Sequence, residues 1–241
     1  MYQQTYSRDT PGCIIFLVDR SDSMRQQWAG SGQTLAEGAA RAINKVLLEL
    51  CIRSTKEQGA PLRCYFYVGI YGYGLRPRGG GEGVESALPP GLAQRGIVPL
   101  PELADQPLAI RAEPSVDVMA SPSRVPVWVE PAAGYRTPTC EAMATAGAHL
   151  YEWSKAFPGS PAPIICHLTD GQVTDSPYQG VDVAGWAARL ATISTQDGPA
   201  LVLNAFLSAS TAPITSFPSE AAHLPEPGPQ LFSISSLLPE P

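Results

Sequence analysis

The chain has 241 residues, 44% of them apolar and 16% charged, with a formal net charge of −6. That is enough apolar material for one α/β domain with a full core, while the acidic balance disfavours nucleic acid or an anionic membrane as the main partner. No apolar run of about 18 residues occurs, so no membrane span is predicted, and Met1 to Thr10 is too polar to resemble a signal peptide.

In chain order, residues 1–12 read as a polar lead-in. Cys13 to Val18 is an unbroken apolar run rich in β-branched and aromatic residues, the pattern of a buried central strand. It ends abruptly in Asp19-Arg20-Ser21-Asp22-Ser23-Met24. Thr34-Leu35-Ala36-Glu37 is a capping box and predicts a helix start. Leu35, Ala39, Ile43, Val46, Leu47 and Leu50 then mark one apolar helix face, and the helix is expected to stop near Ser54 to Gln58, before Gly59-Ala60-Pro61. Leu62 to Tyr73 reads as the next strand. Its glycines fit neither G-x-G-x-x-G nor a GK[ST] loop, which argues against nucleotide binding.

Residues 75–131 carry ten prolines and the run Gly79-Gly80-Gly81, so this stretch cannot be mostly regular sheet or long helix. It reads as an insertion, with one helical turn at Leu100 to Gln106 and a short strand at Pro126 to Val129 that returns the chain to the core. Two readings of it stand: a loop beside the strand ends that carry chemistry, or a surface elaboration that touches no partner. Thr139 to Phe157 is predicted helical, with Thr139 as N-cap and Ala142, Ala146, Leu150 and Trp153 on one face. Ile164 to Leu168 is a second buried strand, running into Thr169-Asp170-Gly171. Val183, Trp186, Ala187, Leu190 and Ile193 mark another helix, and Ala200 to Leu207 a further strand. The alternation gives an α/β fold: a doubly wound, mostly parallel, Rossmann-like sheet of five or six strands with helices on both faces. Residues 1–208 are read as one domain with the insertion at 75–131. Residues 209–241 are read as a Pro-rich C-terminal segment, either an arm or holding a last short strand at Gln230 to Ser235.

In open α/β sheets, ligands bind at the carboxyl ends of the strands. Asp19, Ser21 and Ser23 lie at one such end, and Asp170 at another. Thr137, in Gly134-Tyr135-Arg136-Thr137-Pro138-Thr139, opens a helix. Hard oxygen donors with no Cys or His among them suit a hard cation such as Mg²⁺. A strand ending in Asp-x-Ser-x-Ser can also be a helix-capping turn with no metal. Thr169 and Thr174 read as structural, Asp175 as a loop or cap acid, and His167 as a core residue. Cys140, although at a helix start, reads as packing.

Taken together and in this order, D-x-S-x-S, a lone Thr-Pro and a strand ending in T-D-G resemble the von Willebrand factor A-type (vWA) domain, in its bacterial intracellular form, with its metal-ion-dependent adhesion site (MIDAS). The resemblance implies a metal set of Asp19, Ser21, Ser23, Thr137 and Asp170 around Mg²⁺, with Mn²⁺ or Ca²⁺ as alternatives. It implies a non-enzymatic protein-interaction module that binds a partner's Asp or Glu through the ion. It further implies partners beside an ATPase, a kinase or a phosphatase. The position between the two serines, often Gly in the family, is Asp22 here. Facing the ion, Asp22 would make the site a poorer acceptor for an acidic partner; facing solvent, paired with Arg20, it would change nothing. A metal-independent scaffold subunit is the alternative function. A Mg²⁺-dependent phosphotransferase is disfavoured, because a general acid two residues after Asp19 would have to be Ser21, and no G-x-S-x-G elbow supports a hydrolase. Five scattered cysteines without C-x-x-C spacing lead us to expect reduced thiols and a cytoplasmic location.

Overall fold

The structure, a computed structural model, describes residues 2–57, 59–75, 83–113, 123–211 and 215–238. The Gly79-Gly80-Gly81 run lies outside them. Among these residues the chain is mixed α/β, built on a mostly parallel six-stranded sheet. Strand β1 (Gly12–Asp19) is central. It pairs in parallel with β4 (Phe66–Tyr73) on one side and with β9 (Ile164–Thr169) on the other, and β9 pairs in parallel with β10 (Leu201–Phe206). The other edge of β4 is shared by two short antiparallel strands. β5 (Val84–Ser86) covers Tyr71 to Tyr73, and β6 (Ile97–Pro99) covers Tyr67 to Gly69.

The pleat of β1 sends alternate side chains to opposite faces. Phe16 and Val18 join one apolar cluster with Ile43 and Leu47 of α1 (Leu35–Arg53). Ile15 and Leu17 join the other with Met143 and Leu150 of α3 (Thr139–Ala156) and with Ala187 and Leu190 of α4 (Val183–Thr192). A strand buried on both sides needs the uninterrupted apolar run read from the sequence. Helix α1 starts as expected: Thr34 Oγ1 accepts from the Glu37 N–H, and the Glu37 carboxylate accepts from the Thr34 N–H. The predicted apolar face is buried except at Val46, which is 42% exposed. Position 46 lies about a fifth of a turn off the line through Ile43, Leu47 and Leu50.

The expected insertion holds more regular structure than its prolines suggest. Ahead of it in the chain, and outside it, a short hairpin of β2 (Gln27–Trp28) with β3 (Gln33–Thr34) precedes α1; the insertion itself carries β5 and β6. After β6 comes α2 (Leu100–Ala104), where one helical turn was predicted. β7 (Ala109–Glu113) and β8 (Ser123–Val127) then form an antiparallel pair of their own. The chain re-enters the core at Trp128 and Val129, both buried. There the Asn44 side chain of α1 takes the place of a neighbouring strand. Its Oδ1 accepts from both the Trp128 and Val129 N–H groups, and its Nδ2 donates to the Val129 carbonyl. The Trp128 indole N–H reaches the Leu103 carbonyl at 2.7 Å.

Two expectations are corrected. Gln230 to Ser235 is not a strand: α5 (Gly228–Ser233) runs there, with Leu231 and Ile234 buried at a helical spacing of three. Thr139 is the first helical residue of α3 rather than its N-cap, which is Pro138; the capping acceptor comes from a distant loop, described below. No helix among the described residues is long and apolar enough to cross a membrane.

Candidate functional site

The parallel register brings three strand ends to one sheet edge. Asp19 pairs with Tyr73 of β4, and Val18 with Leu168 of β9, so Gly74 and Asp170 leave the sheet on either side of Asp19. The Asp19 side chain is wholly buried, at 0% exposure. Its Oδ1 accepts from the Ser21 N–H at 2.9 Å, and its Oδ2 from the Thr169 hydroxyl at 2.7 Å. Thr169 Oγ1 in turn accepts from the Gly171 N–H at 2.9 Å. Burial nevertheless pushes the Asp19 carboxyl up to about 6, against the hydrogen bonds from Ser21 and Thr169 that pull it down, and the Asp170 charge adds to the rise. A carboxylate left under-compensated in this way fits a cation close by.

Beyond Asp19 the chain turns into a 3₁₀ segment, Asp22–Arg25, whose Met24 is fully buried in the α1-side core and anchors the loop from below. Ser21 makes no capping bond with its side chain; its hydroxyl lies 3.0 Å from that of Ser23. Asp22 turns outward. Its side chain is 70% exposed and pairs with Arg25 at 2.8 Å, and Arg25 also reaches the Ala133 carbonyl. Arg20 does not pair with Asp22 as the sequence suggested. Successive side chains diverge, and Arg20 lies across Gly72 toward Glu85 of β5, 3.7 Å away. This is where the expected insertion touches the neighbourhood of the site.

The segment carrying Thr137 lies against the β1 loop. Ser21 and Tyr135 form a parallel bridge, the Gly134 N–H donates to the Arg20 carbonyl at 2.7 Å, and the Asp22 N–H to the Tyr135 carbonyl at 3.3 Å. Gly74 makes this approach possible. It sits at φ +105, and a Cβ there would fall 2.4 Å from the Arg136 carbonyl oxygen and 2.7 Å from the Ser21 nitrogen. Thr137 is 2% exposed. Its N–H donates to Thr174 Oγ1 at 2.8 Å, and its carbonyl accepts from the Thr174 N–H at 3.0 Å. Its own hydroxyl has no hydrogen-bond partner among the described residues. Asp170 is half-buried, with one long bond from the Gln172 N–H at 3.4 Å.

Asp19, the last residue of β1, and the other four predicted residues, on the segments beyond the strand ends, thus come to one sheet edge. Their oxygens are sparsely used: two carboxylates and three hydroxyls, with few protein donors turned toward them. No group of three or more His, Cys, Asp or Glu side chains able to hold a metal occurs among the described residues; the set here is mostly hydroxyl. This donor chemistry fits a hard cation.

From the sequence, Thr169 and Thr174 read as structural and Asp175 as a loop or cap acid, and the cap reading is borne out. Asp175 caps α3: its carboxylate accepts from the Cys140 N–H at 3.1 Å and the Glu141 N–H at 2.9 Å. The signal available was Thr174-Asp175 following closely on Asp170. Cys140, buried beside Asp175, has its thiol pushed up to about 11 by desolvation and by that charge, so the helix start does not activate it. His167 is a core residue, as expected. Its Nε2 accepts from the buried Tyr73 hydroxyl at 2.6 Å, its Nδ1–H donates to Asn204 Oδ1 at 2.8 Å, and burial lowers its pKa to about 4.

No family model matches the chain, and no curated protein matches it. Among solved structures it is similar to the pilus adhesin SpaC of Lactobacillus rhamnosus GG, at 19% identity and a TM-score of 0.41. The match covers 68% of this chain and 16% of that one. A likeness of this size carries no argument about fold or function.

Proposed function

We propose that this chain is a vWA-type module, with a doubly wound sheet, that holds Mg²⁺ (or Mn²⁺ or Ca²⁺) through Asp19, Ser21, Ser23, Thr137 and Asp170. Through that ion it binds an Asp or Glu of a partner protein, without catalysing a reaction. The observation that carries this reading is a fully buried Asp19 carboxylate beside the Ser21–Ser23 hydroxyl pair, with a Thr137 hydroxyl that has no hydrogen-bond partner among the described residues on the loop bridged to Ser21.

Mg²⁺ takes six oxygens and gives up its waters reluctantly, so a set of this kind leaves coordination positions to water. Two carboxylates only balance the ion's two charges, which keeps affinity for a further anion. Asp22, turned to Arg25, leaves that balance undisturbed. Ser21, in place of a second acid two residues after Asp19, supports binding over phosphoryl transfer. The five unpaired cysteines support a reducing compartment and hence the cytoplasm. The partner class, an ATPase, kinase or phosphatase, comes from the vWA resemblance.

Calorimetric titration with Mg²⁺ and with Mn²⁺ tests the ion, and pull-down with and without EDTA tests the bridge. Saturable heat that Asp19→Asn abolishes, together with capture lost in EDTA, is the expected result. No heat with either ion, and capture indifferent to EDTA, would leave a metal-independent scaffold.

A further inference from the structure

The loop after β9 is tied down at both of its ends, and each tie leads to a different part of the candidate site. At its start, Thr169 Oγ1 accepts from the Gly171 N–H while its own proton goes to Asp19 Oδ2. At its far end, Thr174 closes a two-way pair with Thr137, N–H to Oγ1 at 2.8 Å and carbonyl from N–H at 3.0 Å. The next residue, Asp175, accepts from two of the free N–H groups that open α3. Pro138, between Thr137 and that helix, adds a rigid link. The pairing spends both backbone groups of Thr137 and leaves its hydroxyl unclaimed among the described residues. The same loop carries Asp170.

We infer that Thr174 and Asp175 are positioning residues for the cation site: they fix the Thr137 hydroxyl relative to Asp19 and Asp170, so ion affinity depends on a clamp that never touches the ion. The inference rests on the function proposed above. A helix cap alone would need only Asp175. The additional Thr174 pair, made to the residue that offers the hydroxyl, is what a positioning role requires and capping does not.

The test is Mn²⁺ affinity by calorimetry for the full chain and four variants. Thr174→Val keeps the shape but removes the acceptor for the Thr137 N–H, and it is expected to weaken Mn²⁺ binding at least tenfold. Thr174→Ser restores the hydroxyl and should bind within about twofold of wild type. Asp175→Asn keeps an acceptor but loses the charge, and should weaken binding about threefold; it carries the test if Thr174→Val does not fold. Thr34→Ala, which opens the capping box of α1 away from the site, should lower the melting midpoint and leave Mn²⁺ affinity unchanged. If wild type binds Mn²⁺ and Thr174→Val and Asp175→Asn bind equally well, the clamp inference alone is overturned. If Thr34→Ala weakens binding as much as Thr174→Val, the effect is general destabilisation and the inference is also overturned. If wild type itself takes up no Mn²⁺, the proposed function fails and the inference fails with it.

Discussion

The two halves of the candidate site are built by different means. The β1 half is local: Asp19, Ser21 and Ser23 follow one another on a loop anchored by Met24, and the Ser21 N–H returns to the Asp19 carboxylate. The half that carries Thr137 and Asp170 has no such internal frame. It is assembled from segments 34 to 37 residues apart through Thr174 and Asp175, and is pressed onto the β1 loop across Gly74. A short loop off a buried strand inherits the rigidity of the sheet, whereas a site shared between loops depends on each cross-link.

The sharpest way to break the comparison is at the junction. Gly74→Ala should cost about 3 kcal/mol or more, because the new Cβ meets two backbone atoms and φ is unsuited to an L residue. Gly30→Ala, at φ +71 with open space around it, should cost only about 1 kcal/mol. Urea denaturation compares the two, and equal losses would mean that the loops do not meet where Gly74 brings them.

Next in size is Asp19→Asn, measured in EDTA. Burial holds the Asp19 carboxyl near 6, against about 3.8 when exposed, so ionised Asp19 opposes folding at neutral pH by about 3 kcal/mol. Asn keeps an acceptor for the Ser21 N–H without the charge. The variant should therefore be more stable than wild type without metal, by about 2 kcal/mol, while losing ion binding. A destabilised Asp19→Asn would show that the charge is already compensated within the β1 half.

The same residue gives a pH prediction. Between pH 3.8 and about 6 the folded state holds a proton on Asp19 that the unfolded state has lost, so this contribution to stability falls as pH rises through that window. His167 behaves oppositely. Its folded pKa near 4 lies below the unfolded 6.5, so its contribution falls as pH drops from 6.5 to 4. In wild type the two nearly offset. Asp19→Asn removes one of them, and its stability should decline on acidification from pH 7 to 4 by about 2 kcal/mol more than that of wild type. Parallel pH profiles would refute the opposition.

The smallest effect is expected from Asp22→Ala, which touches only the solvent side of the β1 loop. An exposed ion pair contributes little, so stability should change by less than about 0.5 kcal/mol, and Mn²⁺ affinity should hold within about twofold. A large gain in affinity would mean that Asp22 swings toward the ion.

Much of this was legible in one dimension, and the pattern of success follows from locality. The buried β1, the capping box at Thr34 and the apolar faces of α3 and α4 all depend on residues a few positions apart, so spacing alone reports them. The D-x-S-x-S loop was legible for the same reason. The cap of α3 was legible only in part: Asp175 reads as a loop or cap acid, but Thr139 has a fitting side chain for the role at α3, and no local spacing says that Asp175 from the loop after β9 supplies two acceptors there. Arg20 was expected beside Asp22, yet Glu85 arrives on β5 to meet it. The last helix was misread because Leu231 and Ile234 find their shared face only against β10 and the cavity beside His167.

By itself the sequence determined the strand that carries Asp19, the helix that follows and which candidate oxygen donors the chain offers, since each is set by side-chain chemistry and short-range periodicity. Only the tertiary structure decided which carboxylate caps α3, where Arg20 turns and how the Thr137 loop is held beside Ser21. Those outcomes come from parallel strand pairing, which brings residues remote in the chain to a common edge, and no local spacing encodes that.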